Sequence, residues 1–382
     1  MSLQEFASKI AWLCLAVSLF ALCLTAFNSL WMRKSAAAAL KAPQKGPLIS
    51  VLVPARDEEE GIAGCLDSLL AQRYQPLELI VYDDDSSDRT AAILDRYAAA
   101  WPEKITVIHG KGLEPGWYGK PRAMQVLLEA AKGEWLYYTD ADTLHRPDSV
   151  GFSLALAQKY RSDLVSGYVQ QRIGSLGEAL VVPAIYLLSM FAMPLGLVHA
   201  TGIPVISHAI GQSMFFNRSV LAGLGGFILL KNKVSEDVHM ARLIKRRGGR
   251  VLFADLKNHV SCRMYSDYPS AIVGLSKNVY DYFGKNRAVL VAATAGIALV
   301  LLLPLIASLW LPSGFEQAQR IFRLSCLSMV TAWTLLILDR RLPWYLPFFY
   351  PILLINVLST AWRAARLFSI GKAVEWKGRM VR

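Results

Sequence analysis

Val81-Tyr82-Asp83-Asp84-Asp85-Ser86-Ser87-Asp88-Arg89-Thr90 passes from a β-branched and aromatic run into three consecutive carboxylates, then through turn formers into a helical stretch. The acids therefore stand where a strand ends. Upstream, residues 48–53 read as a strand closing on Pro54-Ala55-Arg56. Residues 59–71 follow with apolar side chains at Ile62, Cys65, Leu66, Leu69 and Leu70, which is helical spacing. Downstream the alternation continues, with strands at 77–82, 105–108 and 135–139 and helices over 90–100, 123–131 and 238–246. Strands joined through helices imply an α/β fold with a mostly parallel sheet flanked by helices, whose ligands bind at the carboxyl ends of the strands. Asp140-Ala141-Asp142 also follows a strand directly, so the two acidic groups share one crevice edge.

This unit is bracketed by apolar runs. The 382 residues are 54% hydrophobic, more than a soluble core requires. Residues 10–31 carry no charge and at 1.5 Å per residue span a bilayer core of about 30 Å. Similar runs lie at 289–311, at 321–338 and, interrupted by Pro347 and Pro351, at 343–361. The expected organisation is an N-terminal membrane anchor (1–33), a basic linker (34–46), an α/β catalytic domain (47–285), C-terminal transmembrane segments (286–362) and a basic tail (363–382). The run 179–206 is apolar but broken by Pro183, Pro194, Gly202 and Pro204, and reads as an interfacial, acceptor-facing segment.

Arg33, Lys34, Lys41 and Lys45 follow the first anchor, whereas only Glu5 and Lys9 precede it. The positive-inside rule then places the α/β domain at the cytoplasmic face of an inner membrane. The formal charge of +12 gathers beside the apolar runs and in the tail, which points to anionic lipid headgroups. No nucleic-acid-binding signature is present, so nucleic acid is not an expected partner. The five cysteines show neither metal spacing nor a paired framework and read as packing residues.

The carboxylates carry the chemistry. Acids at a strand end can accept from a nucleobase imide or from ribose hydroxyls, while Ser87 or Asp88 caps the helix that follows. Asp140 and Asp142 are spaced to face one hard cation, Mg²⁺ or Mn²⁺, lying against a diphosphate. His145 and His259 are further candidate ligands, each with a structural alternative. Glu236-Asp237 opens a helix after a Gly225-Gly226-Phe227 turn, where an acid serves either the helix dipole or general-base catalysis. Lys120, Arg263 and Lys277 are cations able to pair with a diphosphate or an acceptor carboxylate.

Together, Val53-Pro54-Ala55-Arg56-Asp57-Glu58-Glu59, Asp83-Asp84 with Ser86 and Asp88, Asp140-Ala141-Asp142, Gly225-Gly226-Phe227 and Glu236-Asp237 resemble the family 2 glycosyltransferases, over residues 48–280. The resemblance implies a nucleotide-binding GT-A fold. It also implies that Pro54, Ala55, Arg56, Glu58 and Asp84 hold the nucleoside, that Asp140 lies by ribose and diphosphate, that Asp142 binds the metal and that Asp237 is the base. No Arg-Trp pair occurs anywhere, unlike in the processive polysaccharide synthases of that family. Arg263-Met264-Tyr265, the segment from Gly274 to Asn278, the segment from Gly116 to Lys120 and the tail motif Glu375-Trp376-Lys377-Gly378-Arg379 look like those of carotenoid-acid and hopanoid-associated glycosyltransferases.

The expected reaction is metal-dependent, inverting transfer of one sugar from a nucleotide diphosphate sugar, UDP-linked by expectation, to a lipid or isoprenoid acceptor. Two other readings stand beside it: a polyprenyl-phosphate glycosyltransferase and a non-catalytic nucleotide-sugar-binding membrane protein. A topological difficulty accompanies them all. Three full spans after the α/β domain would leave the basic tail on the opposite side of the membrane, so the proline-interrupted run 343–361 is expected to be re-entrant or interfacial.

Overall fold

The computed structural model describes residues 1–37, 41–282, 286–369 and 374–381. The central sheet has seven strands: β1 (Lys45–Ala55), β2 (Gln75–Asp83), β3 (Ile105–His109), β4 (Trp135–Thr139), β6 (Leu164–Tyr168), β8 (Ser213–Asn217) and β9 (Val251–Asp255). Their order is β3-β2-β1-β4-β8-β6-β9. All neighbouring pairs are parallel except those made by β8, which runs antiparallel to β4 and β6. Ile49, Val51, Leu52 and Val53 of β1 are fully buried, as expected for a strand covered on both faces.

Helices cover those faces in the order set by the hydrophobic spacing. They are α2 (Ile62–Leu70), α3 (Thr90–Ala100), α4 (Gly119–Ala130), α5 (Ser149–Tyr160) and α6 (Glu236–Arg246), with α1 reserved for the N-terminal helix Leu3–Ala37. One core packs Val51, Val53 and Val81 with Leu66 and Leu69 of α2 and Leu94 of α3. On the other face Leu52, Ile80 and Tyr138 pack with Met124 and Leu127 of α4, and this core continues to Met32, Trp333 and Leu336 of the apolar helices. The α/β unit is thus seated on those helices through one face of its sheet.

A second sheet was not anticipated from the sequence. β5 (Thr143–His145), β7 (Gln170–Gln171) and β10 (Val260–Cys262) pair in the order β5-β10-β7. Its three short strands are too brief to show periodicity, yet they pin the loop bearing Asp140 and Asp142 where β4 ends.

Among the described residues, four helices are long and apolar enough to cross a membrane: α1, Arg287–Trp310 (α8), Glu316–Asp339 (α9) and Leu346–Leu367, which includes most of the regular helix Tyr350–Ser369 (α10). The helix Tyr268–Tyr282 (α7) leads into them. α1 and α9 run side by side in the same direction. At one end Ala11, Cys14 and Leu15 pack on Ala318, Ile321 and Phe322. At the other, Arg33 donates to Asp339 at 2.7 Å, and Arg340, 1% exposed, forks onto Asp255 of β9 at 2.9 and 3.1 Å. α8 runs the opposite way, from Leu290 beside Ala361 and Ala365 of α10 to Ala307 beside Ala11 and Cys14. α10 differs from these three. The chain enters it just after Arg340, at the α/β unit, and leaves it toward a hairpin of β11 (Val374–Trp376) and β12 (Arg379–Val381) that lies on that same unit.

The segment 179–206 folds as short helical pieces rather than a span. The Asn28 side chain of α1 clasps it, donating to the carbonyls of Met190 and Met193 at 3.1 and 2.9 Å and accepting from the Leu195 amide at 2.9 Å. These bonds satisfy backbone groups that prolines and helix ends leave open.

Candidate active site

The acidic run after β2 divides its work. Asp83 is buried and accepts from the Ser86 amide at 3.2 Å while its other oxygen meets His109 at 3.1 Å, so it builds the loop. Asp88 accepts from the amides of Glu59 and Thr90, the helix-capping use. Asp85 turns the chain with a positive φ of 59°. Asp84 alone faces the crevice. Its Oδ2 is paired with Arg379, and its Oδ1 is buried with no hydrogen-bond partner. Burial pushes this carboxyl up, against the pull of Arg379.

Asp142 resembles it. Its Oδ1 is also buried without a partner, and burial, aided by the nearby charges of Asp140 and Glu58, pushes its carboxyl up to about 7. A buried carboxylate oxygen without a donor, next to a second carboxylate, fits a divalent cation. Asp140 and Asp142 would supply two ligands, leaving positions for water and diphosphate oxygens. No group of three His, Cys, Asp or Glu side chains suited to a metal occurs among the described residues. The two histidines considered as ligands are used elsewhere. His145 is buried among Thr139, Thr143 and Ser149, its pKa pushed down to about 3 by burial, and His259 stacks on Phe152 and pairs with Asp148.

The third cluster joins the second through Lys120, near the start of α4. Its Nζ lies 2.7 Å from Asp140 and 3.2 Å from Glu236. Burial opposes the charge on Lys120, but the surrounding carboxylates hold the ammonium protonated. Asp237 accepts from the Gly211 amide at 2.9 Å and the Val238 amide at 2.7 Å. Burial and then the neighbouring Glu236 push its carboxyl up to about 7, with Lys120 opposing. A side chain at position 211 would meet Lys120 Nζ at 2.7 Å, so glycine is what lets this loop approach the cluster.

These groups line one cavity of about 470 Å³. Pro54, Ala55, Arg56, Glu58 and Asp84 lie at one end, Lys120, Asp140 and Asp142 in the middle, and Glu236 and Asp237 beyond them. Apolar side chains line the same cavity, among them Val181, Ile185 and Leu187 and, from the apolar helices, Ile297, Val357 and Ala361. Tyr265 also lines the cavity. Arg263 corrects the expectation that it serves substrate: its guanidinium forks onto the buried Glu178 at 2.8 and 3.2 Å and does not line the cavity. The Lys277 side chain lies outside the described residues.

Residues 50–225 match the family model described as glycosyl transferase family 2. The chain carries a family 2 glycosyltransferase domain. Glycosyltransferase GlyG of Streptococcus pneumoniae is 29% identical over 122 residues, covering 31% of this chain and 38% of that protein. The 4,4'-diaponeurosporenoate glycosyltransferase of Staphylococcus aureus is 33% identical over 103 residues, covering 27% of this chain and 26% of its own length. The chain thus spans less than half the length of these relatives. The fold is similar over 95% of this chain and 99% of the other to the mannosyltransferase PcManGT of Pyrobaculum calidifontis, solved with GDP-Man and Mn²⁺, with a TM-score of 0.56 and 20% identity.

The glycosyltransferase domain also holds two residues that the sequence did not assign to its site. Lys377 and Arg379, read as headgroup-facing tail bases, lie on Glu58 and Asp84. Their motif resembled those of relatives, but nothing local to it encodes a contact across some three hundred residues.

Proposed function

We propose that this chain transfers one sugar from a nucleotide diphosphate sugar, a UDP-sugar by preference, to a membrane-dissolved lipid or isoprenoid acceptor, with inversion at the anomeric carbon. The observation that carries this is one cavity lined both by these carboxylates and by apolar side chains of helices that are long and apolar enough to span a membrane. A polar acceptor would have no use for such a lining. The carotenoid-acid relative supports an isoprenoid tail, and the absence of an Arg-Trp pair supports single transfer over polymerisation.

In this reading Asp84 accepts from the nucleobase through its unpartnered Oδ1, and Glu58 and Arg56 line the ribose. Asp140 and Asp142 hold Mg²⁺ or Mn²⁺, which when bound supplies charge neutralisation to the leaving diphosphate. Lys120 sits between that position and the base and can donate to diphosphate oxygens. Asp237, raised to about 7, is suited to take a proton from an acceptor hydroxyl as its oxygen bonds to the anomeric carbon and the diphosphate oxygen departs on the other face. An acceptor carboxylate is already ionised at neutral pH, and Asp237 would then orient it.

The same reading includes a topology, supported by where the ends of the apolar helices lie. α1, α8 and α9 cross the membrane, and α10, which starts and ends at the α/β unit, lies at the interface; this removes the difficulty over the tail. Basic residues after α1 put the domain on the cytoplasmic side. The reading is tested with Asp237→Asn in purified full chain: donor binding is retained and transfer is lost. Full turnover by this variant removes Asp237 from the mechanism.

A further inference from the structure

The C-terminal hairpin is far from the catalytic domain in sequence but built into its donor end. Arg379 pairs with Asp84 Oδ2, and its second Nη lies 3.2 Å from the Asp84 carbonyl. Lys377 donates to Glu58 at 2.5 Å and to the Arg56 carbonyl at 2.8 Å, while Arg56 Nε donates back to the Lys377 carbonyl at 3.0 Å. Gly378 between them takes a φ of +69°, the left-handed turn that lets both side chains point the same way. Five hydrogen bonds at once, two of them between opposite charges, exceed what a solvated tail makes by chance.

Two arrangements are compatible with such contacts: a plug that fills the donor site, or a wall that completes it. Three observations favour the wall. The 470 Å³ cavity remains with the hairpin in place, and Lys377 and Arg379 are among its lining residues. Arg379 takes only Oδ2 of Asp84, leaving Oδ1 buried, unpartnered and 4% exposed as a residue. The hairpin cations also oppose the upward push that burial gives the carboxyls of Asp84 and the half-buried Glu58.

We propose that the hairpin is a structural wall of the donor site, with Arg379 and Lys377 as positioning residues that hold Asp84 and Glu58 oriented while the nucleoside binds. This rests on the donor reading above and deepens it. Arg379 fixes the carboxylate through Oδ2 so that Oδ1 is aimed at the nucleobase; Lys377 does the same for Glu58 at the ribose. The hairpin therefore stays docked through the catalytic cycle, and α10 serves as the strut that returns the chain to the site.

The test is calorimetric titration of the full chain in nanodiscs with UDP and, separately, GDP, each with Mn²⁺. Arg379→Gln is expected to weaken binding of the nucleotide that wild type prefers by about tenfold to a hundredfold, the range for losing a charge-assisted hydrogen bond. Arg379→Lys should recover part of this. Asp84→Asn combined with Arg379→Gln should be little worse than either alone, because the two act as one unit. In transfer assays the donor KM rises and kcat is largely retained, a split that general unfolding would not give. Binding by Arg379→Gln equal to or tighter than wild type overturns the wall in favour of a plug or a passive tail. If wild type itself binds neither nucleotide, the donor reading falls with it; if wild type binds and the variants match it, only the hairpin inference falls.

Discussion

Replacing Lys120 by methionine should move the pH profile of sugar transfer to higher pH. Lys120 Nζ and Asp237 Oδ2 lie within 2.7 and 3.6 Å of one point beside Gly211, so they are at most about 6 Å apart. At an effective dielectric of about 20 that separation gives about 3 kcal/mol of attraction, or about two pKa units. The Lys120 side chain is 36% exposed, and solvent screening reduces the effect to about one unit. The sign is fixed: a cation favours the ionised carboxylate, so its removal raises the pKa of Asp237 from about 7 toward about 8. At pH 7 the ionised fraction then falls about fivefold, and it recovers above pH 9. The assay is kcat against pH at saturating donor and metal, which separates this from any loss of donor affinity through Asp140. A midpoint that stays in place or moves down refutes the assignment of Asp237 as a base held in check by Lys120. A wild-type profile that is flat through neutrality points instead to an acceptor carboxylate that needs no base.

Asp142→Asn removes the buried anion that fits a cation, so the donor affinity of this variant should no longer respond to Mn²⁺; calorimetry with and without the metal reads this directly, and an unchanged metal response would move the site away from Asp142. Arg340→Met leaves the buried carboxylate of Asp255 with Lys257 at 3.0 Å, and that of Asp339 with Lys257 at 3.5 Å and Arg33 at 2.7 Å. The cost expected is about 3 kcal/mol, the lower end of the range for breaking a buried ion pair, seen as a lower unfolding midpoint in detergent. Stability equal to wild type would show that this network does not join the membrane helices to β9.

Much of the site was legible because its chemistry is local to strand ends. Asp84, Asp140 and Asp142 lie just past strands, and parallel-sheet topology brings such positions to one edge whatever their separation in sequence, whereas Asp237 was legible as an acid in the first turn of a helix. What the sequence did not distinguish was which member of a cluster faces the cavity. Asp83, Asp84 and Asp85 are chemically alike, and only the turn at Asp85 and the bonds to Ser86 and His109 separate them. Arg263 was misplaced for a related reason: its partner, Glu178, lies in an apolar segment whose fold depends on Asn28 and α1 rather than on its own periodicity. The role of the tail was invisible because a basic hairpin beside a hydrophobic run reads as a headgroup contact until its long-range partners are seen. The prolines of the last run already suggested a re-entrant or interfacial course in the sequence; what the sequence did not show is that the hairpin after it lies on the α/β unit.

The central claim is single-sugar transfer onto a membrane-dissolved acceptor at a site lined by carboxylates and by apolar side chains of the helices. Mass spectrometry of total lipid extracts from cells expressing the wild-type chain or Asp237→Asn tests it most directly. The account predicts a lipid one sugar heavier than its parent in the wild-type extract and its absence from the variant. A ladder of added sugars, the same product from the variant, or no sugar-bearing lipid in either extract would contradict it.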